Sequence, residues 1–259
     1  MDKQIESLTG LTTEGKKSKM PARLDYWQSA TGLFLGIFMV IHLLFVSSIL
    51  VSKDFFYTVT KMFEGEFIFG EPKPELVSIA VGVVFAIFIA HALLALRKFP
   101  INYRQFLQYR SHMTMIRHSD TSLWFYQIIT GFIMFFAGSV HLYTMLTNPS
   151  AIGPFASADR FVTGGMWALY LVLLGAVELH GSIGLYRLAV KWGWFDGDNP
   201  RATRARLQKL KLGMTVFFLA LGLATFATFV KIGLEHRDQA GERYQPTTQM
   251  MTTVTYYKG

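Results

Sequence analysis

The chain has 259 residues, 51% hydrophobic, 15% aromatic and 16% charged, with 25 Lys and Arg against 17 Asp and Glu and no cysteine. This composition excludes intrinsic disorder and an ordinary soluble domain. The missing thiols exclude disulfides, thiolate zinc sites, protein-ligated iron-sulfur clusters and covalently attached haem.

Residues 1–23 are polar and carry five Lys or Arg, with no early apolar run and no small-residue cleavage site, so no removable secretory signal is read there. Five stretches then reach the length of about 20 apolar residues that crosses a hydrocarbon layer of roughly 30 Å as a helix. With flanking turns they cover 24–51, 76–97, 121–147, 163–187 and 210–234, which predicts an all-α integral membrane bundle of five transmembrane helices. Between the first two, the linker 52–75 holds Glu64, Glu66, Glu71, Pro72 and Pro74 and is long enough to fold over the mouth of a bundle. The tail, 238–259, is polar and aperiodic and reads as a loose exterior extension. No transporter-type internal repeat is evident by eye.

Basic loops stay on the cytoplasmic side. Residues 1–23, 97–120 and 187–211 carry 17 Lys and Arg, whereas 51–75, 146–163 and 231–259 carry eight. The amino terminus is therefore expected inside and the carboxyl terminus outside. The net charge of +8 suits a membrane surface better than nucleic acid, because the basic residues lie between apolar runs and stripe no amphipathic element.

Histidine is costly inside a bilayer, yet each of the first four spans contains one: His42, His91, His141 and His180. A single such residue is as readily a hydrogen-bonded packing histidine; four on separate helices are harder to dismiss. Measured from the nearest cytoplasmic charge at about 1.5 Å per residue, His42 and His141 lie at roughly 25 to 31 Å, and His91 and His180 at roughly 9 to 10 Å. A haem iron takes axial ligands from both faces of its ring, so two level pairs predict two haems. His91 with His180 would hold one near the cytoplasmic face, and His42 with His141 the other near the exterior face. Without cysteine both would be b-type. Gly32, Gly36, Gly82, Gly131, Gly138, Gly175, Gly181 and Gly184 would admit a flat macrocycle, though small residues equally serve helix packing.

His112 and His236 read as solvated loop residues, and His118 as solvated or as a contact to a cytoplasmic partner or haem edge. Glu178, the one carboxylate deep in a span, is either a proton relay or a structural hydrogen-bonding group. Lys231 is read as snorkelling. Haem propionates need donors at the membrane edges, and Gln28, Ser29, Trp124 and Lys191 on the cytoplasmic side and Arg160 outside are candidates, each equally explicable as an interfacial anchor.

The segments LDYWQSATGLFLGIFMVIH, FIAHALLALRKFPINYRQF, TGFIMFFAGSVHLY and LYLVLLGAVELHGSIGLYRLAVKWGWFDG resemble the dihaem cytochrome b subunit that anchors bacterial quinol:fumarate reductase and succinate dehydrogenase complexes. The resemblance covers about residues 15–235. It implies two haems b, with His91 and His180 ligating the proximal one and His42 and His141 the distal one, and menaquinone or menaquinol as the membrane substrate. It further implies a flavoprotein subunit with FAD and an iron-sulfur subunit docked on the cytoplasmic face, a dimer of heterotrimers, and the bacterial inner membrane as the location. By the same resemblance Glu64 accepts a proton from quinol, Glu178 carries protons across the membrane, Gln28, Ser29, Trp124 and Lys191 contact proximal-haem propionates, and Arg160 contacts the distal haem. Without the family, Glu64 is an ordinary loop acid.

The expected function is electron passage between menaquinol and the iron-sulfur subunit, with the fumarate or succinate chemistry on the FAD-bearing partner. The basic stretches RKFPINYRQFLQYR and NPRATRARLQKLK are the expected docking loops, although positive-inside bias explains them too. Rival readings are the cytochrome b anchor of a hydrogenase or nitrate reductase, where ligands cluster on fewer helices, and a haem-free proton-coupled transporter.

Overall fold

The computed structural model describes residues 17–99, 102–116 and 119–247. His118 and the tail from residue 248 lie outside the described residues, and the side chain of His112 is not described. The chain is all-α. Helix α1 (Met20–Val46) runs into a 3-10 turn (Ser47–Leu50), followed by α2 (Lys53–Phe63), α3 (Glu66–Phe69), α4 (Pro74–Leu96), α5 (Tyr103–Ile116) and α6 (Ser119–Thr147). Then come α7 (Pro154–Phe161), α8 (Trp167–Lys191), α9 (Pro200–Glu235) and a 3-10 turn (Arg237–Gln239).

Among the described residues five helices are long and apolar enough to cross a membrane: Met20–Leu50, Pro74–Leu96, Ser122–Thr147, Trp167–Lys191 and Pro200–Glu235. In lipid the backbone must satisfy itself, which a helix does internally. Large apolar side chains such as Phe34, Val83, Leu93, Phe136, Val172 and Val216 face outward from the bundle, where hydrocarbon rather than water is their solvent. Proline opens α4, α7 and α9, where its missing N–H costs nothing.

The four histidine-bearing helices close a ring: α1 packs on α4, α4 on α6, α6 on α8 and α8 back on α1, while α9 lies outside the ring against α8. Side-chain hydrogen bonds tie these contacts. Ser78 Oγ donates to the Leu146 carbonyl at 2.8 Å, joining α4 to α6, and Thr215 Oγ1 donates to Ser182 Oγ at 2.7 Å, joining α9 to α8. Thr225 Oγ1 donates to Ser47 Oγ at 2.9 Å, joining α9 to the turn after α1. A buried cluster of Ile49, Phe56, Ala158, Phe229 and Ile232 closes the end of the bundle beneath α2 and α7.

Three expectations change. The basic stretch from residue 199, expected as a loop, forms the opening turns of α9. The Asn199 side chain accepts the amides of Arg201 and Ala202 at 3.1 Å each, and Pro200 presets the first turn. At about 1.5 Å per residue the 36 residues of α9 extend well beyond a bilayer. The 97–120 connection likewise contains a helix, α5.

The tail, expected to be loose, is fastened as far as Thr247. The Gly241 N–H donates to Asp159 Oδ2 at 2.9 Å, Arg243 bonds the Ser150 carbonyl, and the Tyr244 hydroxyl donates to Asp54 Oδ1 at 2.7 Å. The Thr247 N–H and Oγ1 reach the same Asp54 carboxylate. A polar, aperiodic sequence can still be ordered by side-chain acceptors on distant elements, and periodicity does not register these.

Candidate haem and quinol sites

The ring of helices brings the four membrane histidines together in pairs. His91 on α4 and His180 on α8 have ring centres 6.4 Å apart, and His42 on α1 and His141 on α6 have ring centres 6.2 Å apart. A metal bonded at about 2 Å to one nitrogen of each of two facing imidazoles sets their ring centres roughly 6 Å apart, so both pairs suit a metal held between them. Thr31, which touches His91, and His42 are 11 residues apart on α1; His180 and Tyr170, which packs on His141, are ten apart on α8. Both helices therefore separate the two levels by about 15 to 17 Å.

Neighbours orient the first pair. His180 Nδ1 lies 2.9 Å from the Gln127 carbonyl, which can only accept, so Nδ1 carries the proton and Nε2 is left for a metal. Gln127 is itself held by Arg187, whose guanidinium donates to Oε1 at 2.6 Å. His91 Nδ1 lies 3.1 Å from Thr31 Oγ1. Gly32 and Gly131 pass directly against these rings: a Cβ at Gly32 would stand 2.9 Å from His91 Cε1, and one at Gly131 3.0 Å from His180 Cε1. In the second pair His42 stacks on Phe38 with ring centres 5.5 Å apart, and His141 meets the edge of Tyr170 at 5.5 Å.

Of the six buried side-chain polar atoms without a hydrogen-bond partner among the described residues, Glu64 Oε1 and His236 Nε2 lie outside the ring of four helices and the other four lie on it, a pattern native structures avoid unless something completes the site. These four are Gln28 Oε1, three residues before Thr31 on α1, Arg97 Nε, six residues beyond His91 at the end of α4, His141 Nδ1, and the hydroxyl of Tyr170, whose ring packs on His141. Arg97 and Tyr170 were not singled out from the sequence, since a basic residue and a tyrosine at helix ends look like interfacial anchors.

The other expected propionate contacts are distributed as follows. Ser29 is buried, donates to the Asp25 carbonyl at 2.9 Å and accepts from Lys191 Nζ at 2.7 Å. Lys191 and Lys98 both pair with the Asp25 carboxylate, so in this structure an acidic side chain occupies the lysine that a propionate would take. Trp124 is half-buried on α6. Arg160 on α7 bonds the Ala151 carbonyl and approaches Met145 Sδ at 3.9 Å.

Glu178 on α8 lines a cavity of about 30 Å³ with Gly36, Val177, Ser182, Met214 and Phe218, room for one water molecule. Glu64 is fully buried at the carboxyl end of α2, with Oε2 2.6 Å from Lys61 Nζ and Oε1 without a hydrogen-bond partner. Lys61 received no role from the sequence; its spacing of three residues from Glu64 on a helix is the signal that points to it.

His236 departs from its expected solvated state. It is buried at 3% exposure, Nδ1 lies 2.9 Å from Asp159 Oδ1, and its ring stacks on Phe155 at 4.0 Å. It follows the long apolar helix α9 directly, so it lands among the packed aromatic residues of α7. Lys231 keeps its expected place, largely exposed and 3.9 Å from Glu235.

A family model described as succinate dehydrogenase/fumarate reductase transmembrane subunit matches residues 102–222. The fumarate reductase cytochrome b subunit of Wolinella succinogenes is 61% identical over 234 residues, covering 90% of this chain and 91% of its own. Those of two Helicobacter pylori strains, J99 and 26695, are 52% and 51% identical over 234 residues, each alignment covering 90% of both chains. The chain belongs to the cytochrome b membrane subunits of fumarate reductase and succinate dehydrogenase. It is a multi-pass membrane protein, and as a cytochrome b it is a haem protein. The hydrogenase, nitrate reductase and transporter readings give way to this family.

Proposed function

We propose that the chain is the dihaem cytochrome b anchor of a bacterial inner-membrane fumarate reductase complex, passing electrons between menaquinol on the exterior side and an iron-sulfur subunit on the cytoplasmic side. The observation that carries this reading is the meeting of His91 with His180 and of His42 with His141 at two levels of one helix ring. When bound, a haem at each histidine pair would supply a one-electron carrier. His91 and His180 hold the cytoplasmic-side group and His42 and His141 the exterior-side one. Gln28, Ser29, Trp124, Lys191 and Arg97 serve the propionates of the first, Arg160 and Tyr170 those of the second. The unpartnered atoms of Gln28, Arg97 and Tyr170 support these assignments.

Glu64 accepts a proton from the quinol: the quinol O–H bond breaks, an O–H bond forms on the carboxylate, and the electrons leave through the membrane. The open Oε1 inside a buried pocket suits that task. Glu178 moves protons between the two sides with help from the water-sized space beside it. The bundle end that carries Arg97, Lys98, Lys191 and the opening of α9 faces the cytoplasm, where its positive charge meets the iron-sulfur subunit; a flavoprotein with FAD performs the fumarate or succinate chemistry. Two such heterotrimers form the assembly.

Pyridine haemochrome analysis of the purified complex is expected to give two haems b per copy of this chain, and one haem or none refutes the reading. Glu64→Gln is expected to abolish menaquinol-driven fumarate reduction while reduction from an artificial donor and haem content persist. Unchanged quinol turnover rejects the role of Glu64.

A further inference from the structure

We infer that Lys61 is a positioning residue for Glu64: its ammonium ties one oxygen of the buried carboxylate and keeps the other open and charged to receive the quinol proton. This rests on the reading of Glu64 as the proton acceptor and adds the group that makes it a usable base.

A carboxylate withdrawn from water favours its protonated form, and a protonated carboxyl cannot take up another proton. Glu64 is 0% exposed. An ion-pair partner with good geometry reverses that preference, and Lys61 Nζ sits 2.6 Å from Oε2. The ammonium is placed from several sides. It lies one helical turn back on α2, stands 5.3 Å from the centre of the Tyr57 ring, and its side chain retains 18% exposure. The Glu64 backbone is pinned as well: its N–H donates to the Thr60 carbonyl at 3.1 Å and its carbonyl accepts from the Lys73 N–H at 2.7 Å. The carboxylate thus has one oxygen committed and one, Oε1, buried and unpartnered.

Other ionisable groups on α2 and on the elements packed against it are Lys53, Asp54 and Tyr57 on α2, Glu66 on α3, Arg23, Asp25, Tyr26 and His42 on α1, and Asp159 and Arg160 on α7; Lys73, whose N–H bonds the Glu64 carbonyl, pairs through its ammonium with Glu71. Among the described residues Lys61 alone forms an ion pair with Glu64. In the step itself the quinol O–H bond breaks, its bonding electrons stay on the quinol oxygen, and the proton bonds to Oε1. The pair passes from neutral to a charge of +1, which favours release of that proton to water on the exposed side of Lys61.

The test uses the intact complex and a short-chain naphthoquinol, with fumarate reduction followed across pH for the wild type, Lys61→Met, Lys61→Arg and Glu64→Gln. Lys61→Met is expected to move the acid limb of the kcat/KM profile at least one unit to higher pH. On that limb turnover falls about tenfold at fixed pH. Lys61→Arg is expected to restore the limb. Infrared difference spectra of Lys61→Met at neutral pH are expected to show a protonated-carboxyl C=O stretch that vanishes in the Lys61→Met, Glu64→Gln double variant. Lys61→Gln answers the same question if Lys61→Met does not assemble with its haem. An inactive Glu64→Gln beside a Lys61→Met or Lys61→Gln of wild-type pH profile and no carboxyl band overturns the role of Lys61 alone. A Glu64→Gln that oxidises quinol at the wild-type rate overturns the acceptor reading, and the role of Lys61 falls with it.

Discussion

The hydroxyl oxygen of Thr31 on α1 stands 3.1 Å from Nδ1 of His91 on α4, while the same hydroxyl reaches back to the carbonyls of Trp27 at 2.8 Å and Gln28 at 3.1 Å. With its proton committed to its own helix, Thr31 can only accept from His91, so the imidazole carries its proton on Nδ1 and presents Nε2. His180 reaches the same tautomer through the Gln127 carbonyl.

Thr31→Val keeps the shape and removes one of the two acceptors at the His91 N–H, the Gln28 carbonyl being the other. Loss of such an outer contact typically weakens metal affinity about 10- to 100-fold. Haem titration of the variant complex is expected to show one weakened and one unaffected site, and two wild-type sites would assign Thr31 no role in orienting His91. His91→Ala is expected to remove the cytoplasmic-side haem and leave the other, read from the haemochrome and from redox titration.

Gly32 and Gly131 leave no room for a methyl group beside His91 and His180, with a Cβ at 2.9 and 3.0 Å from the ring carbons. Gly32→Ala and Gly131→Ala are each expected to displace the neighbouring imidazole and to halve haem content. Full haem content in both variants would show that the rings can yield.

The tail is clasped to α2 by an acid and a phenol. The Tyr244 hydroxyl, followed by the Thr247 donors, holds Asp54 below its ordinary value of 3.8, whereas burial and the Asp54 carboxylate push Tyr244 up to about 12. The contribution of Asp54 is present above its unfolded value and lost as pH falls through the lowered one. That of Tyr244 is present below about 10 and lost as pH rises toward about 12. Between these limits the tail is expected to resist proteolysis. Tyr244→Phe, which keeps the ring contacts to Tyr57 and Phe155 and removes the hydrogen bond, is expected to make it cleavable across the whole window. Equal cleavage rates for wild type and variant would show that the bond does not hold the tail.

Gly233 on α9 lies under the backbone of α7, where an added Cβ would come 2.6 Å from the Ala158 carbonyl oxygen. Backbone cannot step aside as a side chain can, so Gly233→Ala is expected to destabilise the subunit by about 1 to 3 kcal/mol. Thermal unfolding followed by haem absorbance measures this, and an unchanged midpoint would contradict the packing.

The five spans were legible in the chain because lipid imposes a one-dimensional rule: apolar length, interrupted by charge, decides what crosses the membrane. The presence of one histidine in each of the first four spans follows from the same reading, since a buried imidazole is conspicuous against an apolar run. The tertiary structure alone decided which ring faces which, through helix order and rotation that bring Thr31 and Gly32 to His91 and Gln127 and Gly131 to His180. Contacts made by ordinary-looking residues were likewise invisible in sequence: Lys61 on Glu64, the orphaned Arg97 and Tyr170, the burial of His236 against Asp159, and the tail fastened to Asp54. Hydropathy records how a residue meets its solvent, and these residues take their roles from neighbours up to 193 positions away along the chain.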